Sequence, residues 1–484
     1  MSVIVVSNRV ARASAAEPIM GGLASALLPA VREFGAIWVG SSSKTQKPPC
    51  RDAFAEIEAL GKGALATVDL PEAHYVNYYE RYSNSALWPV LHSRLDLLRC
   101  DAEHYNSYRE INCYMARAVL RFAKPDSVFW IQDYHFLCMA EEMRKLRIRE
   151  PIGIFLHTPW PERSTFEALP QHRELVTALL AYDLIGFQTA DDARNFASYV
   201  ESELGIPYVD FTFKTKRGNC RIGVFPIGID VDEFSDLARQ ASDHPEVHRL
   251  MQSLQGRQLM IGVDRIDYSK GLLNRFKAFN RMLTTYPRIK RRVSLLQIAV
   301  PSRTAIDAYC SLQDQLARQV GVVNGRHGEV DWTPIRYLNR GYGQDALAGF
   351  YRAAAIGLVT PLHDGMNLVA KEYVAAQDSF DPGVLVLSQF AGAARELDAA
   401  VLVNPHDIDG MATKLANALT MSQAERHERW LSLIHSVRKS SIHDWFSGFL
   451  TVLQRANPMC SEPAILKNTQ EQQLQHTSNT VEAI

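Results

Sequence analysis

The chain has 484 residues, 47% hydrophobic and 22% charged, with 52 Lys and Arg against 53 Asp and Glu and a formal net charge of −1. That length is too great for one ordinary core, so two to three domains are expected, and the charge balance excludes a basic nucleic-acid surface or an acidic tail. Seven cysteines (Cys50, Cys100, Cys113, Cys138, Cys220, Cys310, Cys460) form no C-x-x-C pair, which argues for reduced thiols in the cytosol rather than a disulfide frame or a zinc knuckle.

MSVIVVSNR begins with a short apolar run and no basic leader, so a first strand over 3–7 is expected, not a signal peptide. Asn8 and Arg9 follow it. MGGLAS (20–25) is too short for a dinucleotide fingerprint, but Gly21 and Gly22 mark a turn. GLASALLPAV places Leu23, Ala26, Leu27, Ala30 and Val31 on one helical face, with a kink expected at Pro29. AIWVG (36–40), SVFWI (127–131), IGIFL (152–156) and LIGFQ (184–188) continue a first set of strands. GVFPIGIDVDEF (223–234), with Pro226 and Gly228, separates the halves. LMIGVD (259–264), VSLLQIAV (293–300), AIGLVTPL (355–362) and VLVLSQF (384–390) make a second set, and helical patterns lie between. Such alternation predicts α/β architecture with two parallel sheets, each covered on both faces. From about Pro458 the chain is polar and rich in Gln, Asn and Thr, and a disordered tail is expected. No segment approaches 18 continuous apolar residues, so no membrane span is expected.

Ligands of open parallel sheets bind beyond the carboxyl ends of the strands. Arg9, Asp133 and His157 follow strands of the first set, and Arg265, Lys270, Arg303 and Asp364 follow strands of the second. Each alone is ordinary loop chemistry: His157 could be a hydrogen-bonded structural histidine, and Arg265 with Asp267 a surface ion pair of little weight. Their joint occurrence at strand ends points to one cleft between two domains. RIDYSKG sets two cations in a strand-to-helix loop, with Gly271 allowing close backbone approach, and so suits a diphosphate. HDGMNLVAKE places Asp364 at a strand end beside Gly365 and opens a helix at Asn367, Leu368 and Val369, a second anion-binding end, with Glu372 one turn on. Cations on a departing nucleoside diphosphate would stabilise the charge developed in glycosyl transfer.

The order of motifs is specific. VVSNRV, the glycine pair, YYERYSNSALWPVLH, the DYH of 133–135, FLHTPWP, DLIGFQT, FPIGID, DRIDYSKGL, DGMNLVAKEYVAAQ and VLSQFAGAA run from about Ser2 to residue 450. The series resembles the trehalose-6-phosphate synthase family of retaining, two-Rossmann-domain (GT-B) glycosyltransferases. The resemblance implies transfer of glucose from UDP-glucose to glucose 6-phosphate, giving α,α-trehalose 6-phosphate and UDP, with no metal ion and no organic cofactor. It implies a Rossmann-like acceptor domain over 1–228, a nucleotide-sugar domain over 229–457 whose last helices cross back, and a tail over 458–484. It also implies a cytoplasmic homodimer or homotetramer with no nucleic-acid or membrane partner, serving osmotic protection.

By resemblance, Arg9, Tyr79 and Arg303 grip the acceptor phosphate, and Trp88 and Asp133 position the acceptor ring. Gly21 and Gly22 approach the donor phosphates, His157 contacts the donor glucose, and Arg265 and Lys270 bind the diphosphate. Tyr342 contacts the uracil. The donor stretch Leu368, Val369, Ala370, Lys371 and Glu372 gives backbone N–H groups to the diphosphate and the Glu372 carboxylate to the ribose, and Asp364 holds the donor sugar. Asp133, His157, Arg265 and Lys270 are the residues expected to act in catalysis. Ser41, Gln132, His363 and the HTPWP sequence depart from the family pattern, the first two near the acceptor. Transfer to another phosphorylated acceptor, such as glycerol 3-phosphate, and a non-catalytic sugar-phosphate sensor remain alternatives; a dinucleotide oxidoreductase lacks its full glycine fingerprint.

Overall fold

The computed structural model describes residues 2–10, 27–28, 31–47 and 56–456. The glycine pair, Pro29 and the tail lie outside them. The first half forms β1 (Ser2–Arg9), β2 (Ile37–Gln46), β3 (Glu56–Leu60), β4 (Gly63–Pro71), β5 (Ser127–Gln132), β6 (Ile152–Phe155), β7 (Leu184–Phe187), β8 (Tyr208–Val209), β9 (Thr212–Thr215) and β10 (Gly218–Val224). They build one sheet in the order β3-β4-β2-β1-β5-β6-β7-β10-β9-β8. From β4 to β10 every pairing is parallel, but β3, β9 and β8 pair antiparallel at the two edges. The edges therefore differ from the all-parallel expectation. These strands are short or solvent-facing and lack the doubly buried apolar run by which the central strands are legible.

The second half forms β11 (Gln258–Arg265), β12 (Val293–Val300), β13 (Ile335–Leu338), β14 (Ile356–Val359), β15 (Val384–Ser388) and β16 (Val401–Val403), a fully parallel sheet in the order β13-β12-β11-β14-β15-β16. VSLLQIAV is buried along all but its last residue, as a central parallel strand must be. Among the parallel strands each order reverses once, at β1/β5 and at β11/β14. Such reversals leave a crevice at the strands' carboxyl ends. Two α/β units of this kind facing across a cleft make the GT-B architecture.

The helix Ile442–Arg455 returns to the first sheet. Trp445 and Phe449 lie 4.6 and 5.0 Å, ring centre to ring centre, from Trp130 of β5. Gly153 and Gly186 clear the space: a methyl group on either would meet the Phe449 ring at 2.8 or 2.7 Å. A capping box between Ser441 and Asp444 starts this helix. Among the described residues no helix is long and apolar enough to cross a membrane, and Cys100, Cys113, Cys138, Cys220 and Cys310 are free thiols.

Candidate active site

One wall of the cleft stands on the β1/β5 crevice. Arg9 ends β1, its guanidinium 5.1 Å from the centre of the Tyr79 ring and donating to the Tyr75 hydroxyl at 3.3 Å. Ser41 is buried beside it, in register with Arg9 on β2. Tyr79 belongs to a π-helical segment, Asn77–Leu87, whose wide turn is matched by side-chain bonds five residues back: Asn84 Nδ2 donates to Tyr79 O at 2.7 Å and Ser85 Oγ to Glu80 O at 2.8 Å. π-Helical turns are rare and gather at functional sites. Asp133 follows β5 with φ +70° and ψ 173°, a conformation almost confined to glycine that costs about 1–3 kcal/mol. Arg303 and Asn367 are likewise held at φ +50° and +81°.

Asp133 accepts the His157 backbone N–H at 3.2 Å. Burial lifts its pKa to about 6, against the pull of the Tyr134 and His157 amides, Arg303 and Arg265. His157 pairs through Nε2 with Gln132 Oε1 at 2.9 Å and lies edge-on to Phe155. Burial lowers its pKa to about 3, so the imidazole is neutral at physiological pH.

The junction between the walls is centred on Asp267, which the sequence offered only as a surface ion partner of Arg265. Its Oδ1 accepts Ser269 N at 2.9 Å and Trp88 Nε1 at 3.3 Å; its Oδ2 accepts Arg303 Nη1 at 2.8 Å and the Tyr309 hydroxyl at 3.2 Å. The Arg303 guanidinium lies 4.0 Å from the centre of the Trp88 ring and donates to the Tyr134 hydroxyl at 3.2 Å. The carboxylate is thus no surface partner of Arg265. Burial raises its pKa, but Arg303, His92, the Ser269 amide and Arg265 together hold it below the ordinary value. The legible signal was D-Y-S: an Asx turn needs an acceptor two residues before the amide that it takes.

The other wall stands on the β11/β14 crevice. Arg265 ends β11 and is exposed. A short 3₁₀ turn, Tyr268–Lys270, leads through Gly271, at φ +67°, into the helix Leu272–Thr285. Lys270 Nζ meets Asp364 Oδ2 at 2.5 Å, both side chains 12% exposed. Asn367 Nδ2 donates to the same oxygen at 2.9 Å. Burial raises Asp364, yet Lys270, Asn367 and His92 bring its pKa below the ordinary value. Gly365 is required by crowding against the His157 carbonyl rather than by a positive φ. The helix Leu368–Ala376 begins there, so the free N–H groups of its first turn open beside Lys270. Glu372, one turn in, has its pKa raised to about 7 by burial, opposed by the Tyr351 hydroxyl.

Two expected positions sit differently. The Lys371 ammonium is fully buried and points away from that turn, to Ile227 O at 2.7 Å and Glu396 Oε2 at 2.6 Å, so only its backbone is left for a ligand. Tyr342 lies beyond β13 with Phe350 and Arg340, whose Nη2 donates to its hydroxyl at 2.7 Å. Gly21 and Gly22 lie outside the described residues. Arg9, Tyr79, Trp88, Asp133 and Arg303 form one electrostatic cluster, and Lys270, Asp364 and Glu372 line the second crevice. Among the described residues no group of three or more His, Cys, Asp or Glu side chains is placed to hold a metal ion.

Cations at the strand ends of both sheets, with flanking carboxylates and a helix start, suit a phosphorylated sugar beside a sugar diphosphate. Residues 5–455 match the model of glycosyltransferase family 20. The chain is 42% identical over 448 residues to the trehalose-6-phosphate synthase of Sinorhizobium fredii, covering 91% of this chain and 95% of that protein. It is similar to the crystal structure of the UDP-forming α,α-trehalose-phosphate synthase of Burkholderia vietnamiensis, with a TM-score of 0.91 and 42% identity, covering 95% and 98% of the two chains. It is also similar to that of the Burkholderia xenovorans enzyme in complex with glucose 6-phosphate, with a TM-score of 0.90 and 42% identity, covering 94% and 100%. The chain belongs to glycosyltransferase family 20.

Proposed function

We propose that this chain is a UDP-forming trehalose-6-phosphate synthase, a retaining enzyme moving glucose from UDP-glucose to glucose 6-phosphate. The observation that carries the reading is that Arg9 and Arg303, from different walls, sit on one aromatic cluster: Arg9 lies 5.1 Å from the Tyr79 ring, Tyr79 stacks on His135, His135 lies against Tyr134, and Arg303 donates to the Tyr134 hydroxyl at 3.2 Å. Two guanidiniums held on one aromatic cluster suit a phosphate dianion, and Trp88 beneath Arg303 suits a sugar ring.

On the donor side, Arg265, Lys270 and the amides of Leu368 and Val369 receive the diphosphate, with Ala370 and Lys371 continuing that turn. Glu372 accepts from the ribose hydroxyls, Asp364 and His157 hold the donor glucose, and Tyr342 faces the uracil; Gly21 and Gly22, outside the described residues, are assigned to the donor phosphates by the family resemblance alone. As the bond to the anomeric carbon breaks, the cations and helix start stabilise the charge gathering on UDP. Asp133 accepts the His157 amide and Asp364 is held by Lys270 and Asn367, and neither carboxylate is assigned as a nucleophile. Displacement on the leaving-group face, with the departing phosphate taking the acceptor proton, fits this arrangement.

The same proposal divides the chain into an acceptor domain over 1–228 and a donor domain over 229–457. Two separate sheets and the return of helix Ile442–Arg455 to the first support it. A cytoplasmic homodimer or homotetramer is proposed from the family resemblance, and light scattering on the purified protein checks the assembly. The activity itself is tested by incubating the protein with UDP-, ADP- or GDP-glucose and either glucose 6-phosphate or glycerol 3-phosphate. UDP-glucose with glucose 6-phosphate is expected to give a phosphorylated non-reducing disaccharide. Product from glycerol 3-phosphate alone would move the assignment to that acceptor, and no product from any pair would favour a sensor.

A further inference from the structure

We propose that Asp267 is the positioning residue of the acceptor site: it holds the Arg303 guanidinium and the Trp88 indole, from opposite walls of the cleft, in the orientation that takes a sugar phosphate. The inference rests on the function proposed above. Arg303 is 8% exposed and Asp267 1%. An arginine buried so far needs a permanent counter-charge, and removing one partner of such a pair leaves the other charge stranded. Asp267 supplies that charge without being available for chemistry, because four donors saturate its two oxygens. It also spends only one end of Arg303. Nη1 is bound to Asp267 and Tyr309, and Nη2 reaches Tyr134, so the fork is fixed in one plane over Trp88. A fork fixed before the ligand arrives loses less freedom on binding a phosphate.

The chemistry of the four partners sets the sign of the test. Ser269 N, Trp88 Nε1 and Arg303 Nη1 can only donate. In Asp267→Asn one of the two oxygens becomes an NH₂ group, a donor of nearly the same shape. Turned one way it faces Arg303; turned the other it faces Ser269 and Trp88. Either orientation breaks one half of the junction, so acceptor binding must weaken, while the donor crevice at Lys270 and Asp364, linked to Asp267 through the Ser269 turn alone, changes less.

Titration calorimetry of glucose 6-phosphate in the presence of UDP reads this without turnover. For Asp267→Asn the acceptor Kd is expected to rise about tenfold or more, with the Kd of UDP alone within about twofold. In steady state the loss falls on KM for glucose 6-phosphate rather than on KM for UDP-glucose. Tyr309→Phe, which removes one hydroxyl from the same pair, moves the acceptor Kd in the same direction by about threefold and decides the matter if Asp267→Asn does not fold. An acceptor Kd unchanged in a folded variant, or equal losses for acceptor and UDP, would overturn the proposal. A wild-type protein that binds glucose 6-phosphate but forms no product in the transfer assay would instead sink the functional reading and leave the binding comparison standing.

Discussion

Glu372 shows how one carboxyl can report on donor binding. Burial lifts its pKa to about 7, whereas an unfolded chain holds it near ~4.3. Between those values the native protein keeps a proton that the unfolded chain has lost. This group's contribution to stability is therefore full below about pH 4.3 and is lost as the pH rises through about 7. A ribose hydroxyl donating to Glu372 prefers the ionised form, so the donor should bind with loss of that proton. UDP affinity, compared between wild type and Glu372→Gln at pH 6 and pH 8, should shift by about tenfold in favour of wild type at the higher pH. The comparison cancels the titration of the phosphate itself, and a ratio flat with pH would refute the role. Asp133 is the strained counterpart: its residue type and strand-end position were visible in QDYH, but its positive φ was not, since a dihedral enforced by β5, β6 and the His157 amide leaves no local trace.

Among elements, the helix Ile442–Arg455 belongs to the second half by sequence and to the first sheet by packing. Phe449 stacks on Trp130 while Trp445 lies tilted and Phe446 edge-on to it, and Gly153 and Gly186 make room for Phe449. Gly186→Ala should cost about 1–3 kcal/mol by overpacking against Phe449 and Phe155. Phe449→Leu should cost less in the Gly186→Ala background than alone, because the smaller side chain makes room for the added methyl group. Thermal unfolding of the four proteins checks this, and strict additivity would mean that the two sites do not share their space. The long central strands were legible because burial on both faces leaves a continuous apolar run. The edge strands β3, β8 and β9 and the π-helical turn through Tyr79 were not. Edge pairing is set by a neighbouring strand, and the π turn by Asn84 and Ser85 reaching back to carbonyls.

At the scale of the whole molecule, the two walls are joined at separate places. Asp267 joins Trp88 to Arg303 at one end. Lys371, on the helix Leu368–Ala376, holds the carbonyl of Ile227 in the crossover between halves, with Glu396 as its counter-charge. Gly228, next in that crossover, is crowded by the Ser440 carbonyl where the chain crosses back, so both crossings meet there. Lys371→Met should strand the Glu396 carboxylate and release the crossover, at a cost of about 3–5 kcal/mol. A lower Tm and a larger radius of gyration by X-ray scattering are expected, and an unchanged radius with a lowered Tm would limit Lys371 to a stabilising role. The exposed pair Arg395–Asp191, 2.7 Å apart across the same cleft, has little such weight.

By itself the sequence determined the alternation of strand and helix, the two parallel sheets and the polar residues at the strand ends, because burial periodicity and glycine placement are written locally. Family membership was legible for the same reason, in short motifs whose order along the chain is specific. Which strand ends are neighbours was decided only in three dimensions. The reversals at β1/β5 and β11/β14 bring together residues far apart in the chain, and the facing of the two crevices makes Asp267, in sequence only a candidate surface partner of Arg265, the counter-charge of an arginine from the next strand and the acceptor for an indole from the other wall. Electrostatics between such groups depends on distance and burial, and neither is a property of the chain's order.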